Sequence, residues 1–267
     1  MGDSFERISW EQALAEIAGK VRAIVEKHGP HSLAYAGEAR QYSEPLIRGL
    51  GSQNYYNSMA QEITGIFWVN GHTLGGPSAS PDYQHTDMLL VIGCNPYMSG
   101  MMHQTRLFLN RFSKDPDKRL VVIDPRLSET ARLANIHLPL RPGTDALLDR
   151  AMIAFILQEG WHNKDYIAQH VSGLDKILPW FSDFDARAAL EVCQLDYGRV
   201  REVCHMFATR KSSLHSALGI EMGRHSTVTS YLETILLAIC GRIGVPGGNI
   251  FRSSLTQAGP PPDEAAA

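Results

Sequence analysis

Two apolar runs in this chain end in short polar turns. Met88-Leu-Leu-Val-Ile92 leads into Gly93-Cys94-Asn95-Pro96, and Leu120-Val-Val-Ile123 leads into Asp124-Pro125-Arg126. As strands of an open α/β sheet, these runs deliver their turns to the carboxyl edge, where such folds bind ligands. An asparagine at one strand end and an Asp/Arg pair at the next suit the hydroxyls and base edge of a nucleotide. Each turn also has a plainer reading. Gly, Asn and Pro are common exits from a strand, and Asp124 with Arg126 also fits a surface ion pair.

Two further segments have the same ambiguity. Arg141-Pro142-Gly143-Thr144-Asp145 sets a cation beside the start of a helix, whose free N–H groups favour anions. It fits a simple capping turn equally, with Asp145 as a first-turn acid complementing the helix dipole. Gly219-Ile-Glu-Met-Gly223 puts small residues where a backbone can come close to a ligand. No G-x-G-x-x-G, Walker A, nucleophile elbow or zinc spacing occurs.

The elements that must position these turns follow from periodicity and punctuation. Ser9 with Gln12 reads as a capping box opening a helix that ends near Gly29-Pro30. A short strand over 32–36, a helix over 42–50 and a helix over 61–69 come next, then a flexible Gly75-Gly76-Pro77 segment. Helices are expected over 101–112, 145–159 (N-capped by Thr144), 164–171, 197–209 and 228–241. Strands are expected over 88–92, 120–123, 134–140 and 213–220. Strands alternating with helices imply an α/β fold with Rossmann-like parallel sheets flanked by helices.

At 267 residues the chain has room for one large or two modest domains. A net charge of -3 with scattered Lys and Arg argues against nucleic acid as a partner. No apolar run is long enough to span a bilayer, and the polar N-terminus lacks a secretory h-region. Cys94, Cys193, Cys204 and Cys240 are far apart with no CxxC, as for reduced thiols in a cytoplasmic protein.

The order of the motifs is more telling than any one of them. Gly93-x-Asn95-Pro96, then Val122-Ile-Asp124-Pro-Arg126 with Glu129-Thr-Ala131, then Leu140-Arg-Pro-Gly-Thr-Asp145, then Gly219-x-x-x-Gly223, then Gly241-Arg-Ile-Gly-Val-Pro-Gly-Gly248 resembles the molybdopterin oxidoreductases of the dimethyl-sulfoxide-reductase family. The resemblance runs from Ile8 to about Ile250. It implies molybdenum or tungsten held by two molybdopterin guanine dinucleotides, with oxygen-atom or electron transfer to a small-molecule substrate. Asn95 and Pro96 would line the dinucleotide crevice, and Asp124 and Arg126 would contact a guanosine. Gly143 and Asp145 would help bind the same nucleotide, and Gly219 and Gly223 would admit the cofactor closely.

The resemblance also places the family's metal ligand in the loop that begins at Gly51. By spacing from Asn54, Glu62 falls at that position as metal ligand and catalytic residue, with Gln61 and Ser58 as alternatives. A capping or solvent-facing glutamate is the plainer reading of Glu62. Because no cysteine precedes Cys94, no iron–sulfur cluster is expected on this chain. It is expected to be the central portion of such an enzyme, working with an electron-transfer or complementing subunit. The expected organisation is a discontinuous first domain, 1–61 plus 210–258, with an inserted second domain over 62–209 and a disordered tail over 259–267. A non-catalytic guanine-nucleotide- or pterin-binding subunit is the alternative function.

Overall fold

The computed structural model describes residues 5–37, 40–76, 78–100 and 104–251. It divides into two compact units, residues 1–61 and 62–267. The expected tail lies outside the described residues.

In the first unit, Ser9 Oγ accepts the backbone N–H of Gln12 at 3.1 Å and opens α1 (Trp10–His28). The Gln12 side chain does not complete the box; it donates to Glu16 one turn on. The apolar positions Trp10, Leu14, Ile17 and Ile24 of α1 are exposed. After it come β1 (Tyr35–Ala36), α2 (Arg40–Gly49) and β2 (Tyr55–Tyr56). β1 and β2 pair in parallel, Tyr35 opposite Tyr55, with their rings stacked 5.4 Å apart. Asn54 Nδ2 donates to the His31 carbonyl and Ser52 Oγ to that of Leu33, holding the entry to β2. The short α3 (Met59–Glu62) carries the junction with the second unit.

The second unit begins with α4 (Thr64–Thr73), β3 (Ala79–Pro81), β4 (Met88–Ile92), α5 (Pro96–Ser99), α6 (Thr105–Phe112), β5 (Arg119–Ile123) and β6 (Ile136–Leu138). It continues through α7 (Asp145–Gln158), α8 (Lys164–His170), α9 (Leu174–Ile177), α10 (Pro179–Ser182), α11 (Ala186–Cys193) and α12 (Tyr197–Thr209). It ends with β7 (Ser212–Ser216), α13 (Leu218–Glu221), α14 (Ser226–Ile239) and β8 (Asn249–Phe251).

Its main sheet is parallel, in the order β6-β5-β4-β7. Alternate residues of β4 and β5 enter two separate cores. Met88, Leu90, Ile92, Val121 and Ile123 join a large core with α7, α11, α12 and α14. Leu89, Val91, Leu120 and Val122 join a smaller one with Leu109 and Phe112 of α6. A strand covered on both faces has no polar side, which is why these runs are uniformly apolar.

Two expectations are corrected here. The segment after Thr209 does not leave the second unit: β7 pairs in register with β4, Leu90 opposite Leu214, inside the same sheet. The region after Gly76 is not simply flexible either. β3 pairs antiparallel with β8, Ser80 opposite Ile250, and Asp82 accepts the Gly247 N–H at 3.0 Å. Strands of three residues with a partner far along the chain leave little local trace. Among the described residues no helix is long and apolar enough to cross a membrane.

Candidate functional site

The register sets Ile92, Ile123, Leu138 and Ser216 at one carboxyl edge of the sheet. The chain steps outward from β4 to β5 to β6 and then returns to lie on the other side of β4 as β7. That reversal between β4 and β7 is the kind of switch point where open α/β sheets form a ligand crevice.

Gly93, at φ +59°, turns the chain out of β4, and Pro96 opens α5. Asn95 lies between them, and its amide is committed to the neighbouring loop. Nδ2 donates to Glu129 at 2.7 Å, while Oδ1 accepts the Thr130 hydroxyl at 2.7 Å and the Thr130 N–H at 3.2 Å. The Thr130 hydroxyl in turn accepts the Tyr97 N–H. Asn95 therefore fixes the loop after β5 against the loop after β4, a positioning role. The Glu129 carboxylate is held below its ordinary pKa by its own N–H and the Asn95 amide, with Arg126 adding to them.

In Asn95→Asp, the Thr130 acceptor survives but the donor to Glu129 becomes a second carboxylate. We expect a loss of stability in urea unfolding, mostly recovered at pH values that protonate one of the two acids. A loss independent of pH would assign the effect to some other contact.

Asp124 and Arg126 come together as the sequence suggests, through the backbone. Asp124 Oδ1 accepts the Arg126 N–H at 2.8 Å, a local turn that aims the half-buried carboxylate along the strand end. Arg126 stands 65% exposed, 3.5 Å from Glu129. One loop further, Gly143 takes φ +79°, outside the range favoured by other residues. Thr144 occupies the N-cap position of α7, but its hydroxyl donates to the Arg141 carbonyl and makes no cap bond. Asp145 serves the helix start instead. Burial raises its carboxyl, while its own N–H and that of Gly143 pull the other way.

Gly219 has a structural reason that sequence alone does not give. Its N–H donates to the Gly93 carbonyl at 2.9 Å, and a Cβ there would overlap that oxygen and lie 2.8 Å from its carbon. The close approach is thus between the turn that leaves β4 and α13, which follows β7. Gly223 closes the exposed turn after α13, where a Cβ would meet the Ile220 carbonyl oxygen at 2.9 Å. Between these glycines stands a residue the sequence reading passed over. Glu221 is buried, accepts the Ser230 hydroxyl at 2.6 Å and caps the start of α4 through the Ile66 N–H at 3.2 Å. Burial raises its carboxyl.

Glu62 ends α3 and is half-buried, while Asn95 and Thr130 tie the loops after β4 and β5 to each other. Among the described residues no three of His, Cys, Asp and Glu are grouped as a metal-binding cluster. Cys94 is no thiolate: burial, with Glu233 and Asp124 adding to it, drives its pKa far up, and its Sγ donates to the His215 carbonyl. Two buried acids were also missed. Asp149 on α7 and Glu233 on α14 are 1% and 3% exposed, and both are raised chiefly by burial. Their signal was present: an acid at a core-facing position of an otherwise apolar helix.

This edge offers two acceptors, Asp124 and Asp145, and the donors of Arg126 and a helix start, which suits a nucleotide carrying N–H donors, hydroxyls and phosphate. A family model described as molybdopterin oxidoreductase matches residues 1–261. The chain belongs to this family. Acetylene hydratase of Syntrophotalea acetylenica is 33% identical over 89% of this chain and 33% of its own length. Formate dehydrogenase H of Escherichia coli (strain K12) is 24% identical over 93% of this chain and 36% of its own length. The solved acetylene hydratase from Pelobacter acetylenicus superposes with a TM-score of 0.66 at 28% identity, over 90% of this chain and 34% of that one. The chain spans about a third of the length of the curated relatives it matches.

Proposed function

We propose that this chain forms the guanine-dinucleotide-binding centre of a molybdenum- or tungsten-dependent oxidoreductase acting on a small molecule. The observation that carries the reading is the pair of acids, Asp124 and Asp145, at successive strand-end loops beside the switch point, in a chain matched along its length by the family model. Carboxylates there accept the N–H edge of guanine or a ribose diol, and Arg126 is exposed enough to reach phosphate. Pro96, Gly143 and Gly219 shape the crevice walls, and Asn95 holds two of its loops together. The cofactor, once bound, supplies the oxygen-atom or electron transfer.

Glu62 remains our candidate for the chain's own metal ligand, since a hard carboxylate suits a high-valent metal. The four cysteines are far apart in sequence with no CxxC spacing, and on that pattern our reading keeps the iron–sulfur cluster off this chain and puts the chain in the cytoplasm. An electron-transfer or complementing subunit is the partner this reading calls for.

The test is to produce the full chain in a cofactor-competent host and measure bound molybdenum, tungsten and acid-released GMP by mass spectrometry. Metal with about two GMP per chain is the expected result. GMP without metal would favour a nucleotide-binding subunit, and neither would overturn the reading for this chain. Asp124→Ala should weaken guanine-nucleotide affinity by about 1–3 kcal/mol, measured by titration calorimetry. Unchanged affinity in a folded variant removes Asp124 from the site.

A further inference from the structure

A cavity of about 240 Å³ lies beside the end of β7, walled by α4, β3 and α14. Its polar lining includes Asn70, Tyr83, His215, Ser216, Ser230 and Glu233, with further serine, threonine and asparagine side chains set among aliphatic ones. No lysine or arginine is among the described lining residues. Most of these polar groups are already paired. Asn70 donates to Ser78, Ser230 to Glu221, and Ser216 to Glu233 Oε2 at 2.6 Å. Tyr83 and His215 share a 2.7 Å hydrogen bond. Glu233 Oε1 is the exception: it is buried, without a protein partner, on a residue lining the cavity.

We propose that this cavity binds a small uncharged molecule through a carbonyl-type oxygen that faces Glu233 Oε1, and that it excludes anions. The inference goes beyond the cofactor reading and does not depend on it. A buried polar atom without a partner has lost its water and gained nothing in return, so the site favours whatever satisfies it. Which partner fits depends on the charge around Glu233. Asp145 and Asp149 face it from α7, Glu221 from α13 and Cys94 from the turn after β4; α4 brings Asn70 and no charge to the cavity. His215 on β7 is neutral, its pKa pushed down to about 4 by burial. Tyr83 hydrogen-bonds to it. With burial and acids around it and no facing cation, Glu233 is raised to about 8 and carries its proton at neutral pH. Oε2 accepts from Ser216, so Oε1 holds the proton and donates. A carbonyl oxygen accepts it; a carboxylate or another oxyanion meets buried acids instead.

The test uses fluorine NMR on the full chain with N,N-dimethyltrifluoroacetamide, a neutral acceptor without N–H groups, and trifluoroacetate as its anionic counterpart. The amide should bind at pH 6.5 and lose about tenfold in affinity per pH unit above about 8. Trifluoroacetate should bind at least about tenfold more weakly at pH 6.5. Glu233→Gln keeps a donor at every pH, so its binding should stay flat to pH 9.5. Contacts from the bound probe to the Leu214, Leu237 and Ile243 methyl groups locate it independently, should the variant fail to fold. No binding of the amide, contacts elsewhere, equal binding of the anion, or the same alkaline loss in Glu233→Gln would each overturn the proposal.

Discussion

Gly219→Ala is expected to cost at least about 3 kcal/mol of folding stability, enough to remove much of the stability of an ordinary domain. The reason is geometric. The added Cβ overlaps the Gly93 carbonyl oxygen and lies 2.8 Å from the carbonyl carbon and 2.9 Å from Cα. These are backbone atoms at the end of a buried strand, so no side chain can swing aside. Relief requires the ends of β4 and β7 to part, which also breaks the Gly219 N–H bond to Gly93. Gly71 in α4 is the comparator: nothing lies within 4 Å of its added Cβ. Gly71→Ala should therefore gain about 0.5–1 kcal/mol from helix propensity alone. Urea unfolding followed by circular dichroism compares the two, and equal small effects would refute the close-approach argument. On the proposed reading, guanine-nucleotide binding should also fall with Gly219→Ala even where some folded protein survives, because the displaced turns would wall the crevice.

The same pair shows what the sequence could and could not convey. Gly219 is recognisable as a position needing a small residue, but its partner, Gly93, comes from a distant strand that only the sheet order brings alongside. β4 was legible residue for residue because burial on both faces forces an unbroken apolar run. Which side of β4 receives β7 is a matter of chain crossover, and no local pattern encodes it, so sequence alone does not reveal that the residues after Thr209 return to the sheet of β4. Asn95 and Asp124 were identifiable by type and place. The commitment of Asn95 to Glu129 and Thr130 was not, because those partners are 34 and 35 residues away. The helix start at Asp145 was visible, whereas the Thr144 hydroxyl turned back to Arg141, a competing local bond that short polar side chains often make. α9, α10 and α11 escaped because two are single turns and the third, capped by Asp185, is short.

Glu233→Gln is expected to stabilise the protein in alkaline solution and to leave it unchanged in acid. The folded chain holds Glu233 near pH 8, against an ordinary value of 4.5, because burial penalises its anion and Glu221 and Asp145 repel it. A carboxyl raised in this way is protonated in both states below pH 4.5, where it takes nothing from stability. As pH rises past 4.5 the unfolded chain ionises first, so stability falls steadily until the folded group ionises near pH 8. The total loss is on the order of 5 kcal/mol, large against a typical domain's margin. His215 acts in the opposite direction. Held neutral with its pKa near 4, it contributes nothing adverse above pH 6.5 and destabilises as pH falls from 6.5 through about 4. Between about pH 4.5 and 6.5 these two contributions offset one another, and above that window the Glu233 loss stands alone of the two. Glutamine keeps the acceptor for the Ser216 hydroxyl, bonded at 2.6 Å, and places N–H donors where the protonated acid had its O–H. It also removes one of the charges that raise Asp149, so part of that neighbour's alkaline penalty goes with it. Urea midpoints measured from pH 4.5 to 9 should separate steadily, with the variant more stable by several kcal/mol at pH 8.5. Parallel curves for the two proteins would mean that Glu233 is ionised in the folded state, and the cavity beside β7 would then lose its hydrogen-bond donor.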